Sequence, residues 1–133
     1  LLALLYRGQV LFQNQQRRIE QLPRVRQLAF RFQNLVNQHF IEKRTLGDYA
    51  ALLHISTNHL SDAVREATGQ PAARIIVERL LVEAQNQLAY SEAEMKEIAY
   101  SLQFSSPSHF GKFFKKEAGI TPLQYRQQQQ AVK

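Results

Sequence analysis

Two stretches of this 133-residue chain repeat one another at an offset of 49 to 50 residues. Ala50, Leu53 and Ile55 recur as Ala99, Leu102 and Phe104 at offset 49. His59, Leu60, Ala63, Val64, Arg65 and Gly69 recur as His109, Phe110, Phe113, Phe114, Lys115 and Gly119 at offset 50. The register therefore changes by one residue between Ile55 and His59, where a turn is expected. Each copy reads as a short helix, a tight turn and a second helix stopped by Gly, which is the pattern of a helix-turn-helix. The small Ala50 and Ala99 let the second helix cross close over the first. Leu53 with Ile55, and Leu102 with Phe104, bracket the turn and plug it into a core. Leu60 with Val64, and Phe110 with Phe114, form a buried stripe at spacing four and leave the opposite face free to enter a major groove.

Around the repeat, apolar residues recur at spacings of three and four, and no stretch alternates like a strand for more than a few residues. The fold class is all-α: two helix-turn-helix subdomains joined by a long linker helix, about seven helices, plus an N-terminal helix. The N-terminal helix covers residues 1–20, with Leu1, Leu4, Leu5, Leu11 and Phe12 as its stripe, and Pro23 separates it from a helix over 24–41. Thr45 caps the next helix with Asp48 at the capping-box position. The first helix-turn-helix spans about 46–69, the linker helix about 71–90 behind Pro71, and the second helix-turn-helix about 94–119. Thr121, Pro122 and Gln124 start a last helix, expected to fray through Gln127–Gln130. A linker of about 20 residues spans roughly 30 Å, close to the roughly 34 Å between major-groove faces one DNA turn apart.

Composition excludes several classes. There is no Cys, hence no disulfide framework, thiolate zinc site or cysteine nucleophile. The four His (39, 54, 59 and 109) lack metal-ligand spacing with a carboxylate. No glycine-rich phosphate loop or nucleophile elbow is present, so neither a cofactor, a metal nor an enzyme is expected. The longest apolar run, Leu1–Leu5, is far too short for a membrane span. The formal net charge is +6, but eight Arg and Lys face two Glu in residues 1–44, three face five Asp and Glu in 45–90, and six face four in 91–133. The surplus thus precedes the repeat, and net charge is the weaker argument for a polyanionic partner.

The second copy runs Ile98-Ala99-Tyr100-Ser101-Leu102-Gln103-Phe104, then Ser106-Pro107-Ser108-His109-Phe110, Phe113-Phe114-Lys115-Lys116, Gly119-Ile120-Thr121-Pro122 and Tyr125-Arg126. With Asp48-Tyr49-Ala50 through Leu60-Ser61 to Gly69, and Arg79-Leu80-Leu81-Val82-Glu83-Ala84, it resembles the AraC/XylS family of bacterial transcription regulators over about residues 24–126. The resemblance implies a DNA-binding domain, residues 23–133, that sets two recognition helices in successive major-groove segments of promoter DNA. Residues 1–22 would then be the helical remnant of an upstream regulatory or dimerisation region. By the family's habit the function is transcription activation in the bacterial cytoplasm, with RNA polymerase and a homodimer as possible partners and no membrane. The rival reading is a helical interaction or dimerisation module without DNA binding, in which residues 1–41 form the partner-binding surface, with Leu1, Leu4, Leu5, Leu11 and Phe12 as its stripe, and the repeated hairpins are scaffold.

Carried over position by position, the base-reading candidates are Thr57, Asn58, Ser61 and Asp62 in the first copy, and Ser108, His109, Gly111 and Lys112 in the second. Asn pairs bidentately with adenine, and Lys reaches guanine O6 or N7. Asp62 either accepts from cytosine N4 or stays a solvated charge, paired with Arg65. His59 and His109 either read bases or pack at the junction. Phosphate candidates are Arg65, Lys115, Lys116 and Arg126; Arg126 alternatively forms an internal ion pair with Glu117. Arg24, Arg26 and Arg31 either touch the DNA backbone or solvate their helix. Tyr100 and Tyr125 are expected in the core. Four positions depart from the family pattern: Gln103 stands where Gly is usual in the turn, Ala93 and Glu94 replace an apolar residue and a hydroxyl cap (leaving Ser91 to support that helix start), and Asp62 puts an acid on the first recognition helix.

Overall fold

The computed structural model describes residue 13 and residues 22–132. The contact stripe expected at Leu1, Leu4, Leu5, Leu11 and Phe12 lies outside the described residues. Among the described residues there are seven helices and no strand: α1 Arg24–His39, α2 Leu46–Leu52, α3 Thr57–Thr68, α4 Ala72–Tyr90, α5 Met95–Ser101, α6 Pro107–Ala118 and α7 Pro122–Val132.

Local chemistry sets the boundaries. Pro23 precedes α1, whose Ala29, Phe32 and Val36 are buried together with Phe40 just beyond its end. Thr45 and Asp48 form a reciprocal capping box at α2. Thr121 and Gln124 form a second one at α7, each side chain bonding the other's backbone N–H, at 2.9 and 3.1 Å. The last helix does not fray at its glutamines; it continues through Gln127–Gln130 to Val132. Gln is a good helix former, and the run contains no breaker.

α1 lies against α3, α7 against α4, and α4 carries both halves of the molecule. Along α4, Ala72, Ile75, Ile76 and Leu80 are buried toward its start, and Ala84, Leu88 and Ala89 toward its end. The first lobe, α1–α3, closes over Phe32, Tyr49, Leu60 and Val64, with the Phe32 and Tyr49 rings edge-on at 5.4 Å. The second lobe, α5–α7, closes over Ile98, Ala99, Leu102, Phe110 and Phe114. Its rings form a chain, Phe104 to Phe110 at 5.3 Å, Phe110 to Phe114 at 6.0 Å and Phe114 to Tyr125 at 5.5 Å. Tyr125 is half-buried, but Tyr100 is 57% exposed. Ile98 and Ala99 define the inward face of α5, and the next residue rotates about 100° away from them. The buried tyrosine of the repeat is Tyr49, which corresponds to Ile98.

The two turns are built alike. Leu53 and Leu102 cap α2 and α5. The next residue, His54 or Gln103, is left-handed at φ 57° and 60°. Its N–H bonds the carbonyl three residues back, and the following N–H of Ile55 or Phe104 bonds the carbonyl of Ala50 or Ala99. This is a Schellman end, which normally has Gly at the left-handed position. The turn therefore does demand the conformation that Gln103 fits poorly. Glu94 precedes α5 without a side-chain cap. Ser91 supports the approach rather than the helix start: its hydroxyl donates to Gln87 O at 2.7 Å and accepts from Ala93 N–H at 3.3 Å.

Candidate nucleic-acid interface

α3 and α6 are each 12 residues long and are framed identically. Ser56 Oγ accepts from His59 N–H at 3.0 Å, and Ser106 Oγ from His109 N–H at 3.1 Å. Gly69 and Gly119 end the helices at φ 77° and 86°. With no β-carbon they take this conformation freely, and their N–H groups close on Arg65 O and Lys115 O. Neither serine cap is among the residues that the sequence singles out as helix starts. A Ser three residues ahead of the repeated His was the available signal.

These caps also locate the register change. Ile55 and Phe104 correspond at offset 49, and Ser56 and Ser106 at offset 50, so the extra residue is Ser105. Its hydroxyl contacts His109 Nδ1. The imidazole of the second copy is therefore oriented by a residue that the first copy lacks.

The expected reading residues fall on the two outward faces. On α3, Leu60, Ala63 and Val64 are buried, Thr57, Asn58, Asp62 and Arg65 are exposed, and Ser61 is half-buried. No ion pair joins Asp62 to Arg65 among the described residues. On α6, Phe110 and Phe114 are buried, Ser108, His109, Lys112, Lys115 and Lys116 are exposed, and Gly111 is half-buried. Ser108, Lys112, Lys115 and Lys116 share one face at spacings of four, seven and eight. The one acid of α6, Glu117, is turned inward, where its carboxylate meets Arg74 at 2.7 Å. That hydrogen bond, and then the carboxylate's charge, raises the Arg74 pKa above its ordinary value. The face of α6 is thus purely cationic, while α3 offers Arg65 beside Asp62 and Glu66.

Gly111 is a mid-helix glycine with no packing reason inside the chain: a β-carbon there would meet nothing within 4 Å. Such a glycine costs about 1 kcal/mol relative to Ala, so only the outward face gains from the missing side chain.

Arg126, expected at a phosphate, is engaged inside the chain. Its guanidinium donates to Ala93 O at 2.7 Å, Leu88 O at 3.0 Å, Ser91 O at 3.1 Å and Gln87 O at 3.4 Å. It ties the last turn of α4, through Gln87 O and Leu88 O, to the approach to α5, through Ser91 O and Ala93 O. The alternative pairing with Glu117 is also absent, because Arg74 holds that carboxylate. Arg24, Arg26 and Arg31 are exposed on α1. Arg24 and Arg31 line a cleft with Leu28, Leu53, Ile55 and His59, which places the basic side of α1 next to the start of α3. Among the described residues, no three His, Cys, Asp or Glu cluster as a metal site requires, and no helix is long and apolar enough to cross a membrane.

The profile of a helix-turn-helix domain family matches residues 49–128. The uncharacterized HTH-type transcriptional regulator YisR of Bacillus subtilis is 27% identical over 125 residues, covering 90% of this chain and 44% of its own. The chain thus spans less than half the length of the curated relatives it matches. Among solved structures, the C-terminal domain of AraT, a response regulator from Geobacillus stearothermophilus, superposes with a TM-score of 0.72 at 25% identity, covering 80% of this chain and 88% of that one. The DNA-binding domain of AdpA, solved in complex with a target DNA, has the same fold, with a TM-score of 0.69 at 22% identity, covering 79% and 95%.

Proposed function

Because this chain belongs to the AraC/XylS family of helix-turn-helix domains, we propose that residues 23–133 bind promoter DNA sequence-specifically, with α3 and α6 in successive major-groove segments, and so regulate transcription. The observation that carries this reading is the pair of like helices, each capped by Ser and ended by Gly, presented outward on one frame. The α4 helix that joins them has 19 residues, about 28 Å at the helical rise, against roughly 34 Å for one turn of DNA.

In this reading Thr57, Asn58, Ser61 and Asp62 face one groove segment, and Ser108, His109, Gly111 and Lys112 the next. Lys112 is the strongest single reader, because an ammonium reaches guanine O6 or N7. Gly111 lets a base edge or the backbone come close to α6. Arg65, Lys115 and Lys116 take phosphates, and α6 grips harder than α3 because its face carries no acid. Regulation is activation, in the bacterial cytoplasm. The exposed Glu92, Glu94 and Glu97 ahead of and within α5 offer RNA polymerase an acidic surface. Residues 1–22 belong to the upstream regulatory or dimerising region, through which a homodimer would form.

The test is selection of duplexes from a random pool, followed by binding of the recovered sequence against competitor DNA over a salt titration. Specific binding whose log affinity falls with log salt is expected, from counterions released at several phosphates. Absent or salt-independent binding would refute the proposal.

A further inference from the structure

Arg44 lies in the loop between α1 and α2, yet its guanidinium reaches the other lobe. Its Nε donates to Ile41 O at 2.8 Å within the first lobe. A terminal nitrogen donates to Leu102 O, 58 residues away. The guanidinium also lies over the Phe104 ring, 5.0 Å from its centroid. Leu102 and Phe104 flank the left-handed Gln103, so Arg44 clasps the turn of the second helix-turn-helix on both sides. Phe104 in turn packs on Phe110 at 5.3 Å and Phe113 at 5.2 Å, the base on which α6 sits.

We propose that Arg44 is a positioning residue that locks the two lobes together and so sets the DNA spacing that α3 and α6 accept. Among the described residues, the main helix–helix contacts between the lobes run through α4, a single helix. One tether of that kind fixes the distance between two bodies better than their relative rotation. Arg44 adds a second attachment away from the α4 axis, on the turn that precedes α6. The Arg74–Glu117 pair, at 2.7 Å, holds the other end of α6 to α4. With both ends held, α6 keeps one orientation relative to α3. A guanidinium suits this role because its planar fork can donate in its plane while its face covers a ring, which an ammonium cannot do. Partial burial draws the Arg44 pKa below its ordinary value, and the same burial strengthens the bonds it makes. No sequence pattern marks the residue, since it sits in a loop outside both repeats.

The inference rests on the DNA-reading function proposed above, and its test has one arm with DNA and one without. Arg44→Met removes the fork and keeps the stem; Arg44→Lys keeps the charge and loses the fork. In the DNA arm, the duplex recovered from the random pool is compared with copies carrying one base pair inserted or deleted between its two half-sites. The unsubstituted chain should lose about tenfold or more on such a change, the equivalent of at least one good base contact. Both variants, checked as folded by a cooperative thermal transition, should bind the three duplexes with more nearly equal affinity. A uniform loss across all three, with the spacing ratio intact, would overturn the proposal. The DNA-free arm uses the absence of native Cys: Glu66→Cys on α3 and Lys116→Cys on α6 carry spin labels whose separation is measured directly. A narrow distribution that broadens with Arg44→Met supports the lock, and an unchanged distribution rejects it even if the chain binds no DNA. Failure to bind DNA together with a broadened distribution rejects the proposed function, and with it the setting of DNA spacing, while the mechanical lock stands.

Discussion

Replacing Gln103 with Gly should stabilise this protein, and the expected gain can be worked from the backbone. Gln103 holds φ 60° at the left-handed position of a Schellman turn. Its side chain is exposed, so its removal opens no cavity. Its N–H bond to Tyr100 O, at 3.0 Å, belongs to the backbone and survives the change. A residue with a β-carbon gives up about 1–2 kcal/mol in this conformation. Gly escapes that cost but has a freer unfolded chain, which returns about 0.5–1 kcal/mol. The net expectation is about 0.5–1 kcal/mol of added stability, or about 2–6 °C in Tm. Chemical denaturation followed by far-UV circular dichroism measures it, with an unchanged slope as the sign that only stability moved. His54→Gly, the same position in the first copy, should give a similar gain, and the two should add because they sit in separate lobes. Gly119→Ala, at φ 86°, should move the opposite way. A Gln103→Gly protein no more stable than the parent would refute the argument that this turn carries conformational strain.

Lys112→Ala should relax the preference at one base position, costing about 1–3 kcal/mol on the preferred sequence; an unaltered selection profile would remove its reading role. Lys115→Gln and Lys116→Gln should each lower the slope of log affinity against log salt by about 0.9. Arg126→Met should leave that slope unchanged but cost about 2–3 kcal/mol of stability, since a charged donor to several carbonyls is lost; denaturation and salt titration separate the two effects. Tyr49 donates to Lys43 O at 2.8 Å, and burial pushes its phenol up from 10.0 to about 12. Its neutral form is the one the fold favours, so this contribution is complete below pH 10 and fades as pH rises toward about 12. Alkaline denaturation should therefore be less steep in Tyr49→Phe.

What could be read in the sequence was whatever repeats or caps locally. Leu60, Val64, Phe110 and Phe114 declared themselves by spacing four at matched offsets, and all are buried. Thr45 with Asp48, and Thr121 with Gln124, declared two helix starts through side chains that bond only neighbouring backbone. Tyr100 misled because residue type suggested a core position, whereas the phase of α5, set by Ile98 and Ala99, turns it outward. Gln127–Gln130 looked like a tail by composition alone, which overlooks the helix propensity of Gln. Arg44 and Arg126 were beyond reach for another reason. The bonds that matter go to carbonyl oxygens, which every residue has, and these lie far along the chain: Leu102 O for Arg44, and Gln87, Leu88, Ser91 and Ala93 O for Arg126. No pattern of side chains encodes such a bond until the chain is folded. The candidate reading residues came from the family resemblance; the visible stripe says only that they stand on the opposite, outward face.

The single inserted residue, Ser105, has a consequence for any DNA this chain recognises. It makes the two reading heads unequal: one imidazole is steered by a neighbouring hydroxyl, and the other is not. The heads are also strung in tandem on one helix rather than related by a two-fold axis, as the heads of a symmetric dimer are. A lone chain therefore has no symmetry to impose on its target. The sequence it prefers will not be a palindrome, and the two orientations of that sequence will not be equivalent. If the chain binds a promoter as proposed, it points upstream or downstream there, and reversing its site turns it around.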